Sequence, residues 1–340
     1  MYESFHIKNF RCFRDLKLDS LERVNLIAGQ NNVGKTALLE AIFLLLNLDD
    51  PPQAVKTSWR TLNPADPNSE MIVGSLFHNY DLSIPIELSG ENTEGGMSSL
   101  RISADKSQIS QIEISHRQKR EMRLEYQGEN GQAGSWSIRI APGEDISGGG
   151  NRMTAFSPIV FIQMGSHSPH EDVNRFSNLK VVGRQSEILS ILQLLEPRLQ
   201  QLEILGPGFP LVVYGDVGIG RLLPISVMGE GMNRLLAIAL AIVEAQHGVV
   251  LIDEVENGVH YSVMSKVWTA IAQAARAADV QIFATTHSWE CICAAHQAFS
   301  DSGQYDFRLH RLDRIDDDIR AVSYSQEMLG TAIKTGLEVR

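Results

Sequence analysis

Gly29-Gln30-Asn31-Asn32-Val33-Gly34-Lys35-Thr36 is the stretch on which the reading of this chain turns. It fits the pattern GxxxxGK[ST], and its surroundings are those the pattern requires. Before it, Val24 to Ala28 reads as a strand running straight into a glycine. After it, Ala37, Leu38, Ala41, Ile42 and Leu45 recur at helical spacing and stop before Asp49-Asp50-Pro51-Pro52. Glycines let the backbone turn tightly enough for its N–H groups to surround phosphates at a helix start, where the dipole favours anions. Lys35 is expected to reach the β- and γ-phosphates, and the Thr36 hydroxyl to complete a Mg²⁺ shell. The implied ligands are ATP and Mg²⁺.

Two further strand ends fit that expectation. Val249-Val250-Leu251-Ile252-Asp253-Glu254 is an apolar strand closing on two acids. A buried parallel strand delivers its last side chains to the carboxyl edge of the sheet, where ligands of open α/β folds sit. There Asp253 would hold Mg²⁺ and Glu254 would polarise the attacking water. Ile282-Phe283-Ala284-Thr285-Thr286-His287 places His287 where a γ-phosphate sensor is needed. Gly229, Glu230 and Gly231 open a helix expected over Met232 to Glu244, which makes a second anion site of helix-start N–H groups. One chain binds one triphosphate in its own loop, so a second anion site implies a nucleotide supplied by another copy.

Outward from these motifs, the chain alternates helix and strand from Ile225, through a helix from Tyr261 to Ala278 and a strand from Val280 to Ala284. That alternation indicates a parallel sheet with covered faces. Phe5 to Phe10 and Ile159 to Ile162 read as additional strands. Between them, Leu100 to Ser103, Ile112 to Ser115 and Trp136 to Ile140 read as an antiparallel meander, with Gly148-Gly149-Gly150-Asn151 as a flexible loop. Helices are expected from Pro169 to Leu202, where Ile188, Ile191, Leu192 and Leu195 share a face that serves the core or a partner-binding arm. The tail offers a hairpin, Phe307 to Arg311 and Arg320 to Tyr324, turning on Asp316-Asp317-Asp318 as a solvated turn. The expected organisation is a nucleotide-binding core over 1–50 and 206–340, a β-rich insertion over 51–165 and a helical subdomain over 166–205.

With 340 residues and 43% apolar content, the chain can bury a full core. Its longest apolar runs, Ala41 to Leu46 and Leu235 to Val243, are too short to span a membrane, and no export signal is read at Met1 to His6. Cys12, Cys291 and Cys293 are expected to be reduced thiols in a cytoplasm, without a metal site. A formal charge of -11 speaks against a surface dedicated to nucleic acid, without excluding a local basic groove.

In order and spacing, these motifs resemble the ABC-type ATPases of the RecF, SMC and Rad50 branch, and most closely the OLD-like "AAA family" ATPases. Phe5-His6-Ile7-Lys8-Asn9-Phe10-Arg11-Cys12-Phe13 resembles that group's opening strand, and the resemblance adds Arg11 and Ala37 to the ATP-binding set. Gly229-Glu230-Gly231 resembles the signature loop. Glu256-Asn257-Gly258-Val259-His260 resembles the D-loop run, in which Asn257, Gly258 and His260 are implied, and His287 matches the switch histidine. Gln163, after its strand, is the candidate for the Q-loop. The fold implied is an α/β P-loop NTPase of ABC-ATPase type with an antiparallel β subdomain and a helical subdomain.

The departures are specific. Gly229 stands where the signature normally has serine, which removes a side-chain contact to the partner's γ-phosphate and implies slow hydrolysis. OLD nucleases continue into a Toprim domain, for which the stretch after His287 leaves no room. The resemblance therefore implies a homodimeric ATP-driven switch that controls a separate effector, such as a nuclease in anti-phage defence. The alternative is an ATPase acting directly on DNA ends or gaps. A transporter subunit is disfavoured by the long interval between Lys35 and Gly229, and a non-hydrolysing scaffold by the presence of Glu254.

Overall fold

The computed structural model describes residues 1–58, 73–104, 120–140, 147–151, 157–163, 169–206 and 210–340. The expected strand at Ile112 to Ser115 lies outside them. In chain order the strands are β1 (Tyr2–Phe10), β2 (Phe13–Asp19), β3 (Val24–Ala28), β4 (Ile86–Asn92), β5 (Met97–Ala104), β6 (Arg120–Gln127), β7 (Ala133–Ile140), β8 (Ser147–Gly150), β9 (Ile159–Ile162), β10 (Gln201–Leu205), β11 (Val212–Asp216), β12 (Leu222–Pro224), β13 (Val249–Ile252), β14 (Gln281–Thr285), β15 (Phe307–Ile315) and β16 (Asp318–Tyr324). The helices are α1 (Lys35–Leu46), α2 (Pro51–Ser58), α3 (Pro169–Val181), α4 (Gln185–Gln193), α5 (Glu230–Glu244), α6 (Tyr261–Ala277), α7 (Trp289–Asp301) and α8 (Gln326–Thr335).

The chain divides into two units, neither of them continuous in sequence. The first comprises Met1–Leu21, Gln30–Phe156 and Leu312–Ser323. Its centre is a seven-stranded antiparallel sheet in the order β2-β1-β4-β5-β6-β7-β8. Alternation does the sorting: Phe5, Ile7, Leu16, Leu18, Ile86, Leu88, Leu100, Ile102, Leu124 and Ile138 are buried on one face, against which α1 lies at β4 and β5. α1 is buried from Ala37 to Leu46, as a helix apolar on every side must be. The other face carries charge. Across five strands the register aligns Asp15 with Lys8, Lys8 with Glu87, Glu87 with Arg101 and Arg101 with Glu125, so that each side chain meets the opposite sign.

The opening strand pairs directly with β4, so the expected boundary at residue 50 falls inside one unit. Gly148-Gly149-Gly150 is likewise not the flexible loop that its composition predicts. It forms β8 and pairs with Trp136 to Arg139, because the ladder supplied by β7 outweighs the poor strand preference of glycine. The hairpin of the tail forms and is longer than expected, with Asp316 at a positive φ of 55° in its turn.

The second unit comprises Glu22–Gly29, Ser157–Arg311 and Tyr324–Arg340. Its parallel strands lie in the order β15-β3-β14-β13-β9, with β3, β13 and β14 buried along their whole length. Residues buried on both sides of a sheet read as unbroken apolar runs, which is how β13 and the centre of β14 appear in the sequence, while β3 carries one buried polar residue, Asn25. Trp268 of α6, Phe299 of α7 and Phe307 of β15 form an aromatic cluster with centroids 5.0 to 6.4 Å apart. The helices expected from Pro169 to Leu202 end earlier, at Gln193. Leu202 belongs to β10, in a three-stranded antiparallel sheet β10-β11-β12 that leads into α5.

Candidate functional site

In the first unit, the glycine-lysine loop is shaped by its backbone. Asn32 and Gly34 have positive φ, 63° and 98°, and Gly34 caps α1 in the left-handed region. A side chain has no space there either, since a Cβ at Gly34 would lie 2.5 Å from Cys12 Sγ and 2.8 Å from Phe13 Cζ. Glycine is thus required at 34 by both torsion and packing. Gln30, Asn31 and Asn32 are exposed, Val33 and Ala37 are buried, and Lys35 and Thr36 are half-buried. Lys35 Nζ donates to the Gln30 carbonyl at 3.0 Å, and Arg314 donates to the Asn32 carbonyl at 3.2 Å. Arg11 forms an ion pair at 2.7 Å with Glu40, a carboxylate inside α1 that burial would otherwise make costly, and donates to the Ser58 carbonyl.

In the second unit, four parallel strands end level. Ile27 is opposite Thr285, Ala284 opposite Ile252, and Ile252 opposite Ile162. The Thr286 N–H donates to the Ile27 carbonyl and the Asp253 N–H to the Ile162 carbonyl, both at 2.9 Å. The chain therefore leaves one sheet edge at Gly29, Gln163, Asp253 and Thr286. This is the carboxyl edge, where parallel sheets place ligands.

Asp253 is 2% exposed, and its Oδ1 accepts from the Thr285 hydroxyl at 2.8 Å. The same hydroxyl oxygen accepts the Glu254 N–H at 2.8 Å. Glu254 sits at a φ of 50°, a conformation that costs a non-glycine residue free energy. Its carbonyl is held too: Arg234 Nη2, from α5, donates to Asp253 O at 2.8 Å and to Glu254 O at 3.0 Å. Burial pulls the Arg234 pKa below the usual guanidinium value, and Asp253, Glu256 and Glu254 pull it back.

His287 stands 3.3 Å from Glu256 Oε1 and 3.8 Å from Glu254 Oε1, both measured from Nδ1. Glu256 Oε1 also accepts the His287 N–H at 2.9 Å and the Thr286 hydroxyl at 2.7 Å.

At the start of α5, Gly229 has a φ of 117° with open space around it, and its carbonyl accepts the Met232 and Asn233 N–H groups. Glu230 and Gly231 form the first helical turn, outside the intrahelical ladder, so the helix begins two residues earlier than the sequence predicts. The residues expected to form the D-loop lie alongside, for a Cβ at Gly258 would be 3.4 Å from Glu230 Cβ. Asn257 donates its N–H to the Glu254 carbonyl, and His260 caps α6 by accepting the Ser262 N–H. Val227 and Tyr261, which flank the two loops in sequence, are 67% and 69% exposed.

The sequence reading missed Thr285, Arg234 and Glu256 as contributors. Thr285 and Glu256 sit within motifs already singled out, whereas Arg234 is an arginine on a helix with nothing local to show where it reaches. Among the described residues, no group of His, Cys, Asp and Glu side chains is arranged to hold a metal by itself, and all three cysteines are free.

The family described as "AAA ATPase domain" matches residues 1–134, and that described as "AAA domain, putative AbiEii toxin, Type IV TA system" matches residues 144–290. A Helicobacter pylori protein named ATP/GTP phosphatase is 27% identical over 327 residues, covering 86% of either chain. The DNA replication and repair protein RecF of Pseudoalteromonas translucida is 34% identical over 96 residues, 28% of this chain and 25% of its own. In fold the chain is similar to an SMC head bound to the C-winged helix domain of ScpA, with a TM-score of 0.53 and 14% identity over 98% of this chain and 99% of that one. The Pyrococcus furiosus Smc head with the C-terminal domain of ScpA gives a TM-score of 0.52 at 12% identity, over 99% of each chain.

Proposed function

We propose how this chain, an ABC-type AAA ATPase of the RecF and SMC branch that hydrolyses ATP, is built to work: two copies close head to tail around two nucleotides. The observation that carries this reading is the start of α5. Gly229, Glu230 and Gly231 present helix-start N–H groups beside the D-loop glycine, on an exposed surface flanked by Val227 and Tyr261. Such a site suits an anion. The Lys35 loop already provides for the triphosphate of its own copy, so the anion proposed here belongs to a second copy.

In this reading Lys35 and the loop around it cradle the phosphates, with Arg11 and Ala37 close behind them in α1 and its ion pair. Glu254, fixed from both sides of its peptide, polarises the attacking water. His287 senses the γ-phosphate, and Gln163 leaves the same sheet edge as a Q-loop. Thr36 and Asp253 provide hydroxyl and carboxylate oxygens, the hard donors that suit Mg²⁺, and a 2% exposed carboxylate anchored by Thr285 fits such a role. Mg²⁺ bound there would neutralise phosphate charge. Gly229 contributes backbone alone to the partner's nucleotide, so the proposed turnover is slow.

The proposed output is control of a separate effector, a nuclease in anti-phage defence, supported by the OLD-like order of the motifs. A second reading, direct action on DNA, is favoured by the similarity to RecF over 96 residues. It is opposed by the charge of -11 and by the self-neutralised ladder on the first unit's exposed sheet face, which leaves few cations to release counterions from DNA.

The test is Glu254→Gln with ATP and Mg²⁺, followed by light scattering. The expected result is an ATP-dependent dimer that accumulates, since closure proceeds and hydrolysis does not. A protein that binds ATP yet stays monomeric at every concentration defeats the sandwich. Lys35→Ala is expected to abolish nucleotide binding, and stimulation of ATPase activity by DNA ends would promote the second reading.

A further inference from the structure

We propose that Glu256 is a positioning residue for His287, and that it carries the state of the α5 start to the phosphate sensor. The inference rests on the sensor reading of His287 given above and assigns to its neighbour a role that the motif alone does not.

Glu256 is three residues beyond Asp253, inside the turn that follows β13, and its side chain is 10% exposed. A carboxylate desolvated to that degree is costly unless several donors meet it. One of its oxygens, Oε1, accepts the Thr286 hydroxyl at 2.7 Å and the His287 N–H at 2.9 Å, and the imidazole Nδ1 lies 3.3 Å from the same oxygen. Backbone and ring of one residue are thus fixed on a single acceptor. With Nδ1 facing Glu256, Nε2 is the nitrogen turned to a ligand. Which ring nitrogen meets a ligand is set by the bond the other one makes.

The other oxygen, Oε2, is buried and has no hydrogen-bond partner. The Nε of Arg234 is in the same condition. The two side chains already interact electrostatically, and the guanidinium is anchored on the carbonyls of Asp253 and Glu254. A buried donor and a buried acceptor of complementary chemistry, each without a partner, call for a structural reason. A small shift of α5, as its exposed start engages a nucleotide, would let Arg234 Nε–H meet Glu256 Oε2 and so move the carboxylate that holds His287.

The experiment is a double-mutant cycle with Glu256→Gln and His287→Ala, read as kcat, KM and nucleotide Kd, with thermal melts of all four proteins. Glutamine keeps an acceptor for Thr286 and for the His287 N–H while removing the charge, so folding is expected to survive. The expected result for Glu256→Gln is a kcat lower by about tenfold, with Kd for ATP within twofold of wild type. In the His287→Ala background the same change is expected to cost less than twofold, because nothing remains to be positioned. Additive losses across the cycle, an unchanged kcat in Glu256→Gln, or a loss confined to KM would each overturn the proposal. A wild-type rate in His287→Ala would refute the sensor reading beneath it, which is a separate failure from additivity in the cycle. Should Glu256→Gln melt early, Glu256→Asp decides: partial recovery of kcat at the wild-type Kd supports positioning, and equal loss of both opposes it.

Discussion

Arg234→Ala isolates the grip on Glu254, the residue proposed above as the general base. Glu254 is held at a φ of 50° by Thr285 on its N–H and by Arg234 on its carbonyl. A left-handed conformation costs a residue with a side chain ~1–2 kcal/mol, and a hydrogen bond from a charged donor returns ~1.5–3 kcal/mol. Without Arg234 that strain is no longer opposed at the carbonyl. The population of the competent conformer then falls by about 5- to 30-fold, and kcat with it. Two carbonyls lose their donor as well, at ~1–3 kcal/mol each, offset in part because a guanidinium no longer has to be desolvated. A net loss of stability of ~2–4 kcal/mol follows. Arg234 acts on the Glu254 peptide and not on the proposed phosphate loop, so the Kd for ATP is expected to stay within about threefold. Steady-state ATPase assays, nucleotide titration and urea unfolding report the three quantities. A variant with wild-type kcat and stability, or one that loses affinity and kcat in equal measure, refutes the reasoning.

Gly34→Ala combines a φ of 98° with a Cβ placed 2.5 Å from Cys12 Sγ, so a destabilisation of ~2–5 kcal/mol and weakened nucleotide binding are expected, and a wild-type melting temperature together with wild-type ATP affinity would contradict this. Thr285→Val preserves shape at a residue with no exposure while depriving Glu254 N–H of its acceptor and Asp253 of its donor, so turnover should fall and unfolding should come earlier by ~2–4 kcal/mol in urea titrations. His310 is wholly buried beside Asn25, and burial, followed by the charge of Arg308, pulls its pKa down to about 3. Its protons are therefore bound preferentially by the unfolded chain between that value and the ordinary value near 6.5, and stability declines as pH falls through this window. From pH 7.5 to pH 5 the expected loss is about 2 kcal/mol by urea unfolding, and a His310→Gln protein that keeps the full slope would show the group to be uninvolved.

What was legible in the sequence had a local cause. The GxxxxGK[ST] loop, the apolar run closing on Asp253 and Glu254, and the strand ending at His287 each carry their meaning within a few residues, because tight turns and strand ends act on their own neighbours. Parallel strands buried on both faces were legible for the same reason, through unbroken apolar runs at Val249 and Ile282. Gly148-Gly150 shows the limit: no residue in the run favours a strand, and its conformation is conferred by β7. Leu202 shows another, since one apolar position among helical neighbours does not reveal that the period has changed from 3.6 to 2.

The sequence by itself determined the glycine-lysine loop, the acidic strand end and the class of sheet that presents them, since these follow from backbone freedom at glycine and from the burial of apolar runs. The tertiary structure alone decided that the opening strands join the middle of the chain in one antiparallel sheet, that Thr285 ties Asp253 to Glu254, and that Arg234 and Glu256 brace the chain where it leaves β13 and β14. Those contacts join residues far apart in the chain. Hydrogen bonding between them depends on distances that only packing sets, and no spacing along the sequence records a distance in space.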